Sequence, residues 1–578
     1  MKEQHKKLFI AIANPLFVLC GTLLTVATTT RHIDIALRAF EDREGLAALW
    51  MLAVALLALA GLTVLAFRFR FLENTLDKLQ SHSLLAQVLF VLYAAFCAGL
   101  FVGNFYEHAY AHVERLRGSL SWWEYLPYVY GAVGPLPYGP PRWIFSAVMF
   151  FPVAAFYLYF CLSLAGMTKN LIKELTKGEK RVLLYGSLVS VLYIIVLYNL
   201  SNVYWAPVMK GTAALIGADI LFQYDSGLRV LDNDFANPLL YRIGNSATLR
   251  HPLFGIFALP LGIACQIFSA NALFYAIALQ SLQMIALVGA VIMLSRLVPP
   301  ANGTQKYLFM ALLFLSFPVL VGATPMERNI LTLVFLIFGI YEWLNGRSAT
   351  LWVNGAIGAN PIYFPAALLY IRSKKTAVKD LLGGGSTFLL LLLAAGWFSI
   401  LIDYKSEARD GVGLGYLLYQ HSWYDSLCYY ITFVESCLFA PPAGMMMSRE
   451  IPRFRMTASA FESVNPLGVI ILAAVIYGFA RNYKNRFAQV SFAGVVLSFL
   501  LMGVGSWAIA QRDTVFYTLF FSWAYISLIY LAIDKTFDNK AKTVVLALLA
   551  TLLLIVNGRI AVNILRFGME YYPMARLY

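Results

Sequence analysis

Charge is what this chain has least of. Only 13% of its 578 residues are Asp, Glu, Lys or Arg, about half the share of an ordinary soluble domain. Cysteine is scarce too. The six (Cys20, Cys97, Cys161, Cys265, Cys428 and Cys437) lie in or beside apolar runs with no CxxC pair, so they act as small apolar residues and suggest no disulfide framework. No P-loop, GxGxxG, HExxH or Ser-His-Asp arrangement is legible, which argues against ATP-driven transport by this chain. Tandem repeats and low-complexity tails are absent, and no gap between apolar runs is long enough for a soluble domain. The first apolar run is too long for a signal-peptide core and lacks a small-residue cleavage site, so it reads as a retained helix.

What the chain has instead is apolar length. The composition is 60% apolar with a mean hydropathy of +0.70. Runs cover residues 8–30, 48–67, 83–103, 143–166 and 182–200. Others cover 252–270, 273–295, 307–323, 329–345, 351–372, 384–402, 423–440, 465–481, 488–509, 514–533 and 544–563. Runs of roughly 17–25 residues match a bilayer core, where backbone polar groups must be satisfied within each segment. The fold class is therefore an all-α polytopic membrane protein. The formal net charge of +14 fits Lys and Arg gathered in cytoplasmic loops on anionic lipid, so no nucleic-acid partner is expected. The basic stretch 1–7 and the basic loops 68–82 and 167–181 place the N-terminus in the cytoplasm of a multi-pass plasma (inner) membrane protein.

That orientation delivers the loop 202–251 to the outer face. At about fifty residues it is far longer than most of its neighbours, and loops that long are usually functional or disordered. Trp205, Leu215, Phe222, Tyr224 and Tyr241 could pack, which argues against disorder. The loop gathers Asp219, Asp225, Asp232, Asp234, Arg229, Arg242, Arg250 and His251. Asp219 stands in an apolar frame that would raise its proton affinity, and Asp225 opens a turn-like Tyr-Asp-Ser-Gly. Asp232 and Asp234 form a DND pair that could chelate a divalent cation or cap a helix; no cofactor is otherwise implied. Loop 104–141 carries an aromatic and proline-rich stretch suited to an interfacial belt. Its His108 and His112 share a helical face, but no third metal ligand is evident.

Charge parity breaks between Lys379 and Arg481 if every run crosses, so one run must turn back or lie along the surface. Segment 423–440, which holds Asp425 and Glu435, is the choice. It places both 403–421 and 444–465 outside. The second of these is a basic amphipathic strip with Arg449, Arg453 and Arg455, suited to a lipid phosphate or to any interfacial helix. Arg512 sits in a very short loop between two apolar runs, a functional hypothesis by default. Pro260, Gly262, Gly355, Gly358, Asn360, Pro361 and Pro365 predict broken helices in 252–270 and 351–372, so counting leaves the side of Glu327 and Arg328 open.

This arrangement resembles the GT-C superfamily of integral membrane glycosyltransferases, which use sugars linked to polyprenyl phosphate. The resemblance runs over roughly 181–563. It rests on YDSGLRVLDND followed by RHPLFGIFALPLG, on Pro325-Met326-Glu327-Arg328-Asn329, on Gly358-Ala359-Asn360-Pro361 and on Arg512-Asp513-Thr514-Val515-Phe516-Tyr517. It implies a GT-C-like catalytic module at 181–578 behind a four-helix preface at 1–180, which the usual module does not require. It also implies a catalytic base at Asp225 first, with Asp219 in play. Glu327 and Arg328 would face the same cavity. Asp232, Asp234, Arg242 and His251 would line the substrate, and Arg449, Arg453, Arg455 and Arg512 would hold the lipid phosphate. The implied partners are a polyprenyl-phosphate sugar donor, a glycan or lipid acceptor of the cell envelope, and membrane lipids. Two other classes stand beside this one. A secondary transporter or flippase predicts two similar halves, and an O-antigen ligase or polymerase predicts its largest loop late in the chain.

Overall fold

A computed structural model of the chain describes residues 3–30, 44–99, 140–205, 261, 272–299, 303–326, 329–359, 361–395, 422–448, 451–457, 462–505 and 514–573. In chain order the helices are α1 (Glu3–Thr30), α2 (Glu44–Thr63), α3 (Phe71–Gln80), α4 (Leu84–Gly99), α5 (Pro140–Glu174) and α6 (Lys177–Leu200). Then come α7 (Ala272–Ser295), α8 (Gly303–Leu315), α9 (Asn329–Leu344), α10 (Thr350–Ala359) and α11 (Ala377–Ala395). The last are α12 (Trp423–Ser436), α13 (Pro466–Arg481), α14 (Arg486–Ser498), α15 (Thr514–Thr536) and α16 (Asn539–Tyr571). Among the described residues seven helices are long and apolar enough to cross a membrane, or eight if the bent pair Leu52–Arg68 and Phe71–Gln80 is one span. The chain is a multi-pass helical membrane protein.

Polar residues at the segment ends start these helices. Thr176 and Glu179 cap α6 reciprocally, as Ser422 and Asp425 do for α12. Asn465, Asn485 and Asp538 accept the first free backbone N–H groups of α13, α14 and α16, which would otherwise lack partners. Along α6, Leu184, Leu188, Leu192 and Val196 form an exposed stripe while Ile194, Leu197 and Tyr198 are buried. That division is expected where lipid replaces water on one face.

The chain divides into two compact units. One contains α1–α5, α10 and α11; the other contains α6–α9 and α12–α16. In the first, α1 packs on α2 and α5, and α10 and α11 join them. In the second, α7 lies between α6 and α9, α8 packs on α16, and α15 lies against α13 and α14.

Several expectations change at the level of elements. The break expected in 351–372 is present: α10 stops at Ala359 and a 3-10 helix runs over Pro361–Tyr370. The break expected in 252–270 lies outside the described residues, apart from Leu261. Run 307–323 does not stay α-helical either. After α8, Phe317 N–H donates to Leu438 O (2.9 Å), and Pro318, which has no N–H, opens a π-helical turn over Pro318–Gly322. The basic stretch 68–82, expected as a loop, is mostly helix α3. The basic strip in 444–465 is a hairpin rather than a helix: β1 (Ala443–Ser448) pairs antiparallel with β2 (Ile451–Met456). That hairpin also qualifies the all-α class.

Segment 423–440, expected to turn back or to lie along the surface, holds helix α12, which ends at Ser436 ahead of the hairpin. Residues 428–436 of α12 are buried, and α12 runs antiparallel to α13. Asn465 binds Glu435, and a Cβ on Gly468 would stand 2.4 Å from Ile431 O. The 14 residues keep its ends about 20 Å apart. Residues 403–421, whose side the earlier expectation fixed, lie outside the described residues.

Candidate functional site

The second unit has two chemically different ends. At one, Glu179 is 4% exposed and accepts from Arg296 Nε (2.8 Å), Arg296 Nη2 and Lys306 Nζ (2.7 Å). Gln305 Nε2 donates to Asn539 O (3.0 Å), and Lys542 pairs with Asp534. The start of α6, the end of α7 and the starts of α8 and α16 therefore meet there. The guanidinium of Arg296 is held more firmly protonated than usual by its bonds to Glu179 and Tyr341.

At the opposite end the contacts are neutral and hydrogen-bonded. α6 stops at Leu200, where Ser201 turns extended and its hydroxyl accepts from Val203 N–H. Ser201 Oγ (3.1 Å) and Asn202 N–H (3.0 Å) both donate to Tyr572 O, and Asn202 Nδ2 reaches Pro573 O (3.1 Å). These bonds tie the root of loop 202–251 to the end of α16. Met326 N–H donates to Tyr204 O (3.0 Å), and Tyr198 Oη donates to Thr324 O (2.9 Å), so the root of Glu327–Arg328 is fixed to the same place.

Beneath this junction α7 contributes Gln280, whose Nε2 donates to Ala323 O (2.7 Å) and whose Oε1 accepts from Gln283 Nε2 (3.0 Å). Gln283 Oε1, Ser281 Oγ and Asn202 Oδ1 are buried without a hydrogen-bond partner among the described residues. Buried polar atoms in that state are rare and call for a water or a ligand group. The Gln-Ser-Leu-Gln stretch is legible in sequence as an i, i+3 polar pair inside an apolar run, yet the sequence reading passed over it.

Phe454 on β2 packs at a tilt against Phe567 of α16 (5.6 Å between centroids), and Phe567 contacts Tyr571 and Tyr572. The hairpin is thereby anchored to the same end. Arg453 and Arg455 occupy the ladder positions on either side of Phe454, opposite Met446 and Gly444. At the end of α12, Glu435 is 6% exposed and accepts from Asn465 Nδ2. An ionised carboxylate in that position is costly. α15 carries Asp534 near the basic end, and its 23 residues span about 35 Å, so Thr514 lies toward the neutral end.

The expected site residues themselves fall mostly outside the described residues. Asp219, Asp225, Asp232, Asp234, Arg242 and His251 follow Trp205; Glu327 and Arg328 follow Met326; Arg449 lies between the strands; Arg512 precedes Thr514. The structure brings together two of their described flanks, Tyr204 and Met326. Among the described residues no group of three or more His, Cys, Asp or Glu could hold a metal, and His108 and His112 also lie outside them. No family model, curated protein or solved structure matches this chain.

Proposed function

We propose that this protein is a membrane glycosyltransferase of GT-C type. It moves a sugar from a polyprenyl-phosphate carrier to an envelope glycan or lipid. The observation that carries the reading is the junction at Tyr204 and Met326, which roots the acid-rich loop 202–251 beside the root of Glu327 and Arg328. The hairpin with Arg453 and Arg455 and the start of α15 after Arg512 attach at the same end. Carboxylates and guanidinium groups rooted together suit transfer from a phosphate leaving group. An Asp accepts the proton of the attacking hydroxyl, and Arg residues stabilise the charge that grows on the phosphate. Asp225 is the first candidate base and Asp219 the second. The acceptors on Gln283 and Asn202, without a partner among the described residues, suit sugar hydroxyls. Because the other end is rich in Lys and Arg, the positive-inside rule orients this junction away from the cytoplasm.

The test is incubation of the purified protein, in lipid nanodiscs, with a panel of polyprenyl-phosphate sugars. Release of free polyprenyl phosphate that depends on an acceptor is the expected result. Movement of an intact lipid-linked sugar across sealed vesicles, without release, would instead make the protein a transporter.

A further inference from the structure

The first unit contains a cavity that the proposed transfer does not use. Its volume is about 290 Å³. Phe69, Phe71 and Tyr159 line it with aromatic rings, and Arg372, Lys379 and Asp380 line it with charge. Asp380 is already neutralised: it accepts from Arg372 N–H (3.1 Å), Nε (3.1 Å) and Nη2 (2.7 Å), and from Thr376 Oγ1 (2.6 Å). Burial alone would raise the Asp380 carboxyl, but these donors hold it below the usual carboxylate range. The clamp fixes the Arg372 guanidinium and leaves its Nη1 edge uncommitted. Lys379 is exposed and adds a second positive charge on the first turn of α11, where backbone N–H groups also favour an anion.

A second feature marks the same wall. Arg70, held by Glu73 through Nε (2.5 Å), is the one non-glycine residue at positive φ (49°) among the described residues. It stands between Phe69 and Phe71, both of which line the cavity. A non-glycine residue in that conformation is strained, and such strain gathers at ligand sites. Beside the cavity, Val378 (73%), Leu382 (52%) and Phe67 (55%) expose apolar side chains, as a surface facing acyl chains would.

We propose that this cavity is a binding site for the phosphate headgroup of an anionic phospholipid, gripped by Arg372 and Lys379 with its acyl chains along Val378 and Leu382. Basic pockets between membrane helices hold anionic lipid heads in this way. The exposed apolar side chains of Val378, Leu382 and Phe67 beside the cavity favour a lipid over a free phosphate ion.

The experiment is native mass spectrometry of the full-length protein in detergent with phosphatidylglycerol, phosphatidylcholine or inorganic phosphate. Wild type should retain phosphatidylglycerol over phosphatidylcholine. Lys379→Gln, whose amine makes no described bond, should weaken that retention about fivefold, the effect of one basic residue. Lys374→Gln and Lys375→Gln, outside the cavity, should leave it unchanged, and all variants should melt together. Equal retention by wild type and Lys379→Gln overturns the proposal. So does equal loss in the Lys374→Gln and Lys375→Gln controls, which would mean diffuse surface charge. Displacement of the lipid by millimolar inorganic phosphate would make it a free-anion site and overturn the lipid assignment.

Discussion

Glu179 illustrates what one charge does inside a helical bundle. It joins the start of α6 to Arg296 and Lys306 while closing the capping box with Thr176. Glu179→Gln leaves two cations facing each other without their anion. Removing one partner of a buried pair costs about 3–5 kcal/mol, so the apparent melting temperature in detergent should fall sharply. A change within experimental scatter would show that the pair contributes little. Asp380 makes a prediction in pH. Its carboxyl titrates lower in the folded protein than in the unfolded chain, where about 3.9 is usual. Its contribution is therefore complete above that value and disappears as pH falls through the lower, folded one. The melting-temperature gap between wild type and Asp380→Asn should hold from pH 8 to about 5 and close below about 4. A gap that widened in acid would contradict the clamp. Glu179 stands in a stretch the sequence shows as merely basic, 167–181, and Asp380 directly follows another, 372–379. Spacing alone cannot reveal which of several Lys and Arg residues a lone acid will meet.

At the scale of elements, close backbone approach and buried amides hold the second unit together. A Cβ on Gly478 of α13 would stand 2.1 Å from Leu528 O of α15, a contact only glycine permits. Gly478→Ala should destabilise by about 1–3 kcal/mol as α13 and α15 are forced apart. Gly558→Ala on α16 meets nothing within 4 Å and should be neutral. Thermal unfolding of the two side by side is the check, and equal effects would refute the close packing. Asn557, mid-α16 and fully buried, donates to Leu315 O and Leu438 O (both 2.8 Å) and accepts from Ala440 N–H (2.8 Å). Asn557→Ala removes the partner of Leu315 O and of Ala440 N–H, each costing about 1–3 kcal/mol, and leaves Leu438 O with Phe317 N–H alone, so it should loosen the break after α8. Hydrogen exchange at Phe317 would report it; unchanged protection there would refute it. The break at Asn360-Pro361 was legible because proline stops a helix locally. The one at Pro318 was passed over inside an apolar run, and the hairpin was masked by its charges, although Arg-Phe-Arg alternates with period two.

For the whole molecule, the functional proposal turns on loop 202–251. Asp225→Asn should insert and melt like wild type yet release no polyprenyl phosphate. Activity surviving in that variant but lost in Asp219→Asn would move the base to Asp219. Helix positions were legible because bilayer thickness sets the length of apolar runs, and polar caps such as Thr176, Asn465 and Asp538 mark their ends within a few residues. Membership of the two units was not: residues 348–395 group with α1–α5 rather than with the helices on either side of them in sequence.

The amino-acid order by itself determined that this is a multi-pass helical membrane protein, where most of its helices run, and which connections are rich in charge. Those properties depend on neighbours within about one helix length. Tertiary structure alone decided which ends meet. Ser201 finds the carbonyl of a residue 371 positions away, and Glu179 finds an arginine 117 positions away. Such pairings follow from how helix surfaces interlock in three dimensions, and no linear pattern of residues encodes that directly.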